Sequence, residues 1–155
     1  MAVSEHNTEI AKRGSNAADE KNGSYITWNP TGTTSAPDEN GSTQRPPFIG
    51  LAHEMAHVKD VWDGTINRKI WQIVSSPDGK SVEISNSEKY STHIENQIRA
   101  ENKISLRAYY SVDENGNGNH NTRLIKAGTR QSLYYNSNGE TNYRKLNKKI
   151  IPFTY

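Results

Sequence analysis

The chain has no cysteine. Disulfide staples and cysteine-ligated zinc are therefore excluded. Such a chain suits a reducing cytosol and would also pass a secretion machine without redox chemistry. It has no long apolar run either. A mean hydropathy of -0.94 excludes a membrane-spanning segment, and no basic, apolar N-terminal stretch reads as a signal peptide. Charge of one sign is in short supply: the formal net charge is +2, which gives no case for nucleic acid or membrane insertion. The one basic cluster, Arg144, Lys145, Lys148 and Lys149, reads as a solvated strand or tail. Methionine occurs only at Met1 and Met55. The length, 155 residues, suits a single domain over residues 1–155.

What is present divides by its breakers. Residues 1–24 are polar and interrupted by Gly14, Ser15, Asn16 and Asn22-Gly23-Ser24. They read as a flexible linker or cleavage zone, with a helical turn at Glu9 to Lys12. Tyr25 to Trp28 reads as a short strand stopped by Asn29-Pro30. A Thr/Gly/Ser/Asn/Pro-rich loop follows to position 45. Pro46-Pro47 then forces extended backbone and launches a helix from about Phe48, which Asp63-Gly64 ends. Ile70 to Val74 and Val82 to Ile84 flank Pro77-Asp78-Gly79 as a hairpin. A second helix is expected from Asn86 or Ser87, one of them its cap, to about Ala100, with Ile94 and Ile98 on one face. Residues 104–112 read as extended or as a short helix end. Weaker strands are expected at Leu124-Ile125, Ser132 to Tyr135 and Tyr143 to Leu146, with a turn at Asn138-Gly139. The fold class is α+β, with two helices and short antiparallel strands.

The first helix carries His53-Glu54-Met55-Ala56-His57, an H-E-x-x-H run. Helical backbone puts His53 and His57 one turn apart on one face, where two imidazole nitrogens reach a single metal ion. Glu54 beside them reaches a water on that ion. Zinc lowers the pKa of such a water to about 7, within range of a carboxylate base. The flanks Phe48, Ile49, Leu51, Ala52, Met55, Ala56 and Val58 are expected to bury the helix on most of its circumference. Two histidines and a glutamate inside such a helix are costly unless a partner such as a metal compensates them.

A catalytic zinc needs three protein ligands and an open position. Without cysteine, the third is a histidine or a carboxylate. The second helix offers Glu88, His93, Glu95 and Glu101. Glu88 and Glu95 are seven residues apart, on one face and about 10 Å along the axis. They cannot both bind the ion held by His53 and His57, so one is expected as a ligand and the other as its support. Asp63 stands where a ligand would follow in H-E-x-x-H-x-x-G-x-x-H/D enzymes. Asp60 replaces the turning glycine of that pattern, however, and no methionine follows Met55 to make its methionine turn. Asp60 reads as a partner for a histidine N–H or a helix-end surface residue. After the second helix, Arg107-x-x-Tyr110 supplies a cation and a phenol suited to stabilising an oxyanion.

The run Pro46-Pro47-Phe48-Ile49-Gly50-Leu51-Ala52-His53-Glu54-x-x-His57, with Glu95-Asn96-x-Ile98-Arg99-x-Glu101 and Arg107-x-x-Tyr110, resembles the effector zinc metallopeptidases of the NleD and HopH type. That family also occurs as C-terminal toxin domains of Rhs and other polymorphic toxins. The order H-E-x-x-H, Glu, R-x-x-Y is similar to the clostridial neurotoxin light chains. The resemblance implies a zincin-like fold with His53, His57 and Glu88 as zinc ligands (Glu95 the alternate) and Glu54 as general base. It also implies Arg107 and Tyr110 as oxyanion donors and Glu95 as support. It further implies a protein substrate in a target cell, delivery by a secretion system, action in the target-cell cytosol and, for a polymorphic toxin, a cognate immunity protein.

Asp113-x-Asn115-x-Asn117-Gly118 matches the opening of a calcium loop. Its twelfth position is Leu124 rather than a bidentate glutamate, so it reads as a Gly/Asn turn. Two other functions fit less of the pattern: a zinc hydrolase of a cell-wall peptide or non-protein substrate, and a binding module with a structural metal or none.

Overall fold

Pro46, in extended backbone, opens α1 (Pro47–Trp62), and Pro47 sits in its first turn, where a missing N–H costs nothing. The helix closes at Asp63, whose backbone N–H bonds to Lys59 O. The structure, a computed structural model, describes residues 6–134, 143–146 and 149–155. It is a small α+β fold in which α1 packs against a second helix, α2 (Asn86–Glu101), with short strands around the pair. No helix among the described residues is long and apolar enough to cross a membrane.

The N-terminal segment differs from the sequence reading. Glu9–Lys12 forms β1, not a helical turn, and Ala17–Ala18 forms β2. Both pair with β3 (Tyr25–Trp28), β1 in parallel and β2 antiparallel, in the order β1-β3-β2. From Glu9 on, the segment expected as a linker or cleavage zone is part of a sheet that packs on α1. Local composition gives no sign of this, because the side chains of β1 and β2 are mostly exposed while the backbone pairs. Gly23 closes the path: its φ is +67°, and a Cβ there would lie 2.6 Å from the Trp62 indole nitrogen, so a residue without one is needed.

β4 (Ile70–Ser75) and β5 (Ser81–Ser85) form the expected hairpin, which leads directly into α2. The residue preceding α2 is Ser85, and its side chain makes no capping bond. Its hydroxyl instead meets that of Ser87 at 2.6 Å, so neither Asn86 nor Ser87 caps the helix. β6 (Tyr143–Leu146) pairs antiparallel with β7 (Lys149–Pro152). The turn expected at Asn138-Gly139 lies outside the described residues, as do Tyr135 and Lys148. Leu124-Ile125 and Ser132 to Tyr134 meet in one isolated bridge, Ile125 with Ser132, beside a second between Gln131 and Thr154.

The two helices bury different chemistry. α1 buries Ile49, Ala52, Ala56 and Val58 together with His53, Glu54, His57 and Asp60. Phe48 and Met55 are 43% and 52% exposed, so the helix is not enclosed as expected. α2 buries Ser87, Ser91, Thr92, Glu95, Asn96 and Arg99, while Ile94 and Ile98 are only half-buried. The interface of the helices is polar, and its cost is offset only if each group finds a partner. The loop at Asp113 is a turn: Asp113 Oδ1 accepts from the backbone N–H groups of Asn115 and Asn117, each at 2.9 Å.

Candidate metal centre

Helical spacing brings the ring nitrogens of His53 and His57 together, with the two Nε2 atoms 3.2 Å apart. α2 crosses so that Glu88, in its first turn, completes the group. Glu88 Oε2 lies 3.0 Å from His53 Nε2 and 3.3 Å from His57 Nε2. These three residues offer donor atoms close enough for one metal ion. A tetrahedral zinc with bonds of about 2.0–2.1 Å has ligand-to-ligand edges of about 3.3–3.4 Å. The observed triangle is close to one face of that tetrahedron, and its donor chemistry, two imidazoles and a carboxylate, suits zinc.

Glu95, two turns further along α2, has a different place. It is fully buried and bonds to the far side of the His53 ring, Oε2 to Nδ1 at 3.1 Å. Arg107 Nη1 donates to the same oxygen at 3.1 Å, and Arg99 Nε donates to Oε1 at 2.8 Å. Glu88 therefore joins the donor triangle while Glu95 stands behind it. Asp63 forms an exposed ion pair with Lys59, and Asp60 accepts from Thr65 Oγ1 at 2.6 Å. Neither joins the group.

The charges favour a cation. Burial alone would raise the Glu88 carboxyl, but the hydrogen bonds and charges of His53 and His57 outweigh it and hold it well below the usual range. Burial likewise opposes ionisation of Glu95, and Arg107, His53 and Arg99 reverse that effect. The His57 imidazole loses solvation yet is pushed up to about 10 by Glu20 and Glu88. His53 is also raised, its burial outweighed by Glu88 and Glu95. Two imidazoles nearly in contact, surrounded by carboxylates, make a site for positive charge, which a divalent ion supplies without protonating its ligands.

A cavity of about 370 Å³ opens on the triangle, lined by Asn16, Ala17, Ala18, Glu20, His53, Glu54, His57, Glu88 and Tyr110. Burial raises the Glu54 carboxyl, although His53 and His57 pull it back in part. The Tyr110 hydroxyl is pushed above the usual phenol range, mostly by burial and then by the Glu88 charge. A phenol so placed stays a donor. Arg107 does not line this cavity. Its guanidinium bonds to Glu95, to Tyr109 O at 3.1 Å and to Tyr110 O at 2.6 Å, and lies over the Tyr110 ring. The expected pair of oxyanion donors is therefore split, with Tyr110 in the cavity and Arg107 behind it. A larger cleft of about 660 Å³, lined by Tyr109, Arg123 and Arg130 among others, includes neither the donor triangle nor Glu54, Arg107 or Tyr110.

One residue at the site had no signal in the sequence. Glu20, in the polar N-terminal segment, places Oε1 2.8 Å from His57 Nδ1, off the axis of a ring N–H. No spacing rule connects residues 37 positions apart in the numbering.

No curated protein and no solved structure matches the chain significantly. The sequence model of one family, Peptidase_M91, described as effector protein, matches residues 2–116. That stretch holds the three donor residues, Glu54, Glu95, Arg107, Tyr110 and Glu20, and the chain belongs to this family of effector peptidases.

Proposed function

We propose that the chain is a zinc-dependent endopeptidase, folded as one zincin-like domain over residues 1–155, that cuts a protein of the cell into which it is delivered. The observation that carries this reading is the triangle of His53 Nε2, His57 Nε2 and Glu88 Oε2, with edges of 3.0, 3.2 and 3.3 Å, facing a cavity shared with Glu54. In it, His53, His57 and Glu88 hold the ion and Glu95 orients His53. When bound, zinc acidifies a water and polarises the scissile carbonyl. Glu54 takes the proton from the attacking water and returns it to the leaving amine, a task favoured by a carboxyl raised toward the working pH. The Tyr110 hydroxyl donates to the carbonyl oxygen as negative charge develops there. Arg107 positions Tyr110 and Glu95 and does not touch the substrate.

Membership of the effector family supports delivery by a secretion system and action in the target-cell cytosol. If the chain comes from a polymorphic toxin, an immunity protein is its second partner. The test pairs zinc analysis of the purified chain with mapping of new protein N-termini in cells expressing the unaltered chain or Glu54→Gln. Bound zinc in both, with new N-termini only for the unaltered chain, is the expected result. A fully active Glu54→Gln variant would remove Glu54 as the base. A chain that takes up no zinc removes the metal mechanism.

A further inference from the structure

Two imidazoles that present Nε2 to one ion must each keep the remaining proton on Nδ1. A metal-binding histidine commonly gives that N–H to a carboxylate, which sets its tautomer and ring orientation and makes Nε2 a better donor. For His53 the carboxylate is Glu95. His57 has Glu20 at the corresponding atom, Oε1 2.8 Å from Nδ1. We propose that Glu20 is the positioning residue of His57, holding its ring with the proton on Nδ1 and Nε2 turned to the metal. The assignment rests on the zinc reading above and adds the N-terminal segment to the metal centre.

The surroundings of Glu20 are those of a held group rather than a stray surface acid. Ser87 Oγ, fully buried at the start of α2, donates to Glu20 Oε1 at 3.0 Å. The Glu20 carbonyl accepts from the Arg68 guanidinium. The preceding residue, Asp19, closes a turn by accepting from the backbone N–H groups of Lys21, Asn22 and Ser24 and from the Ser24 hydroxyl. That turn follows β2, so sheet pairing, turn and α2 all converge on one carboxylate. Asp60 and Asp63, nearer in sequence, are bonded to Thr65 and paired with Lys59 instead. Glu20 faces the ring nitrogen opposite the one that meets Glu88, so it acts on the ligand rather than as one. The contact is an ion-pair approach of 2.8 Å, with no ring N–H hydrogen bond formed in this geometry.

The test is zinc affinity by competition with a chromogenic chelator, measured on the unaltered chain, Glu20→Ala, Glu20→Gln and Ser87→Ala. The metal-free thermal midpoint and the cobalt(II) absorption spectrum of each are recorded alongside. Glu20→Ala is expected to bind zinc about 10- to 100-fold more weakly and to shift the cobalt spectrum. Glu20→Gln keeps the volume and an accepting oxygen and should lose less, about 3- to 10-fold on the same scale. Ser87→Ala, which frees Glu20 without touching a ring, should fall between Glu20→Gln and the unaltered chain. A purely structural Glu20 would lower the midpoint and leave both the zinc constant and the cobalt spectrum unmoved. If Glu20→Ala does not fold, Glu20→Gln decides: affinity equal to that of the unaltered chain overturns the assignment. An unaltered chain that binds no zinc overturns this assignment and the reading beneath it. Zinc binding that is equal in all four overturns this assignment alone.

Discussion

Replacing Glu95 by glutamine tests the load on the most connected buried charge of the site. The Glu95 carboxylate is fully buried and accepts from His53, Arg99 and Arg107. Arg99 is itself fully buried, and its Nη1 donates to Ser105 O at 3.0 Å. Glu95→Gln keeps the shape but removes the charge that both guanidinium groups face, and turns an N–H₂ toward donors. Removing one partner of a buried ion pair costs about 3–5 kcal/mol. In a chain of this length each kcal/mol shifts the thermal midpoint by roughly 2–4 °C, so the midpoint of the metal-free protein should fall by roughly 6–20 °C. Calorimetry or circular dichroism measures it, and chelator competition should show weaker zinc binding because His53 loses its orienting partner. A cycle with Arg99→Met isolates the pair: the coupling should exceed about 1 kcal/mol for groups in direct contact. A midpoint within 2 °C of the unaltered chain, an allowance of roughly 1 kcal/mol, would refute the reasoning, because it would mean that water or rearrangement satisfies two buried cations.

Other outcomes follow from the same geometry. Arg107→Ala should slow turnover by about 10- to 100-fold and loosen zinc several-fold, since it supports Tyr110 and Glu95; turnover unchanged in a peptide-cleavage assay would remove Arg107 from the mechanism. Gly118→Ala should cost about 1–3 kcal/mol in urea unfolding, because a Cβ there would overlap the Tyr109 ring; an equal or higher midpoint would show that the ring can move aside. Burial holds the His93 imidazole down to about 4, against about 6.5 in an unfolded chain. The unfolded chain therefore binds more protons in that window, so this contribution is complete above pH 6.5 and is lost as pH falls toward 4, at most roughly 3 kcal/mol. His93→Gln should flatten the stability profile between these limits; a slope identical to that of the unaltered chain would count against a buried neutral imidazole.

The features legible in the sequence are those set within about one turn of backbone. The prolines at 46 and 47 and Asp63-Gly64 mark the ends of α1 to within a residue, because proline and glycine act through their own φ. The turn at Pro77-Asp78-Gly79 marks the hairpin of β4 and β5 for the same reason. One helical turn places His53 beside His57 whatever else the chain does. The rest depends on where distant segments meet. Glu88 and Glu95 share a face of α2, and only the crossing of α2 over α1 puts Glu88 on the two Nε2 atoms and Glu95 behind His53. Arg107 and Tyr110 are three residues apart in the motif, yet the path of the chain sends one into the cavity and the other behind it. Glu20 reaches His57 because β2 pairs with β3 and the Ser87 hydroxyl donates to the carboxylate. Local backbone preference acts over a few residues, whereas these encounters are chosen by packing and by the need of each buried charge for a partner, which no single stretch of sequence encodes.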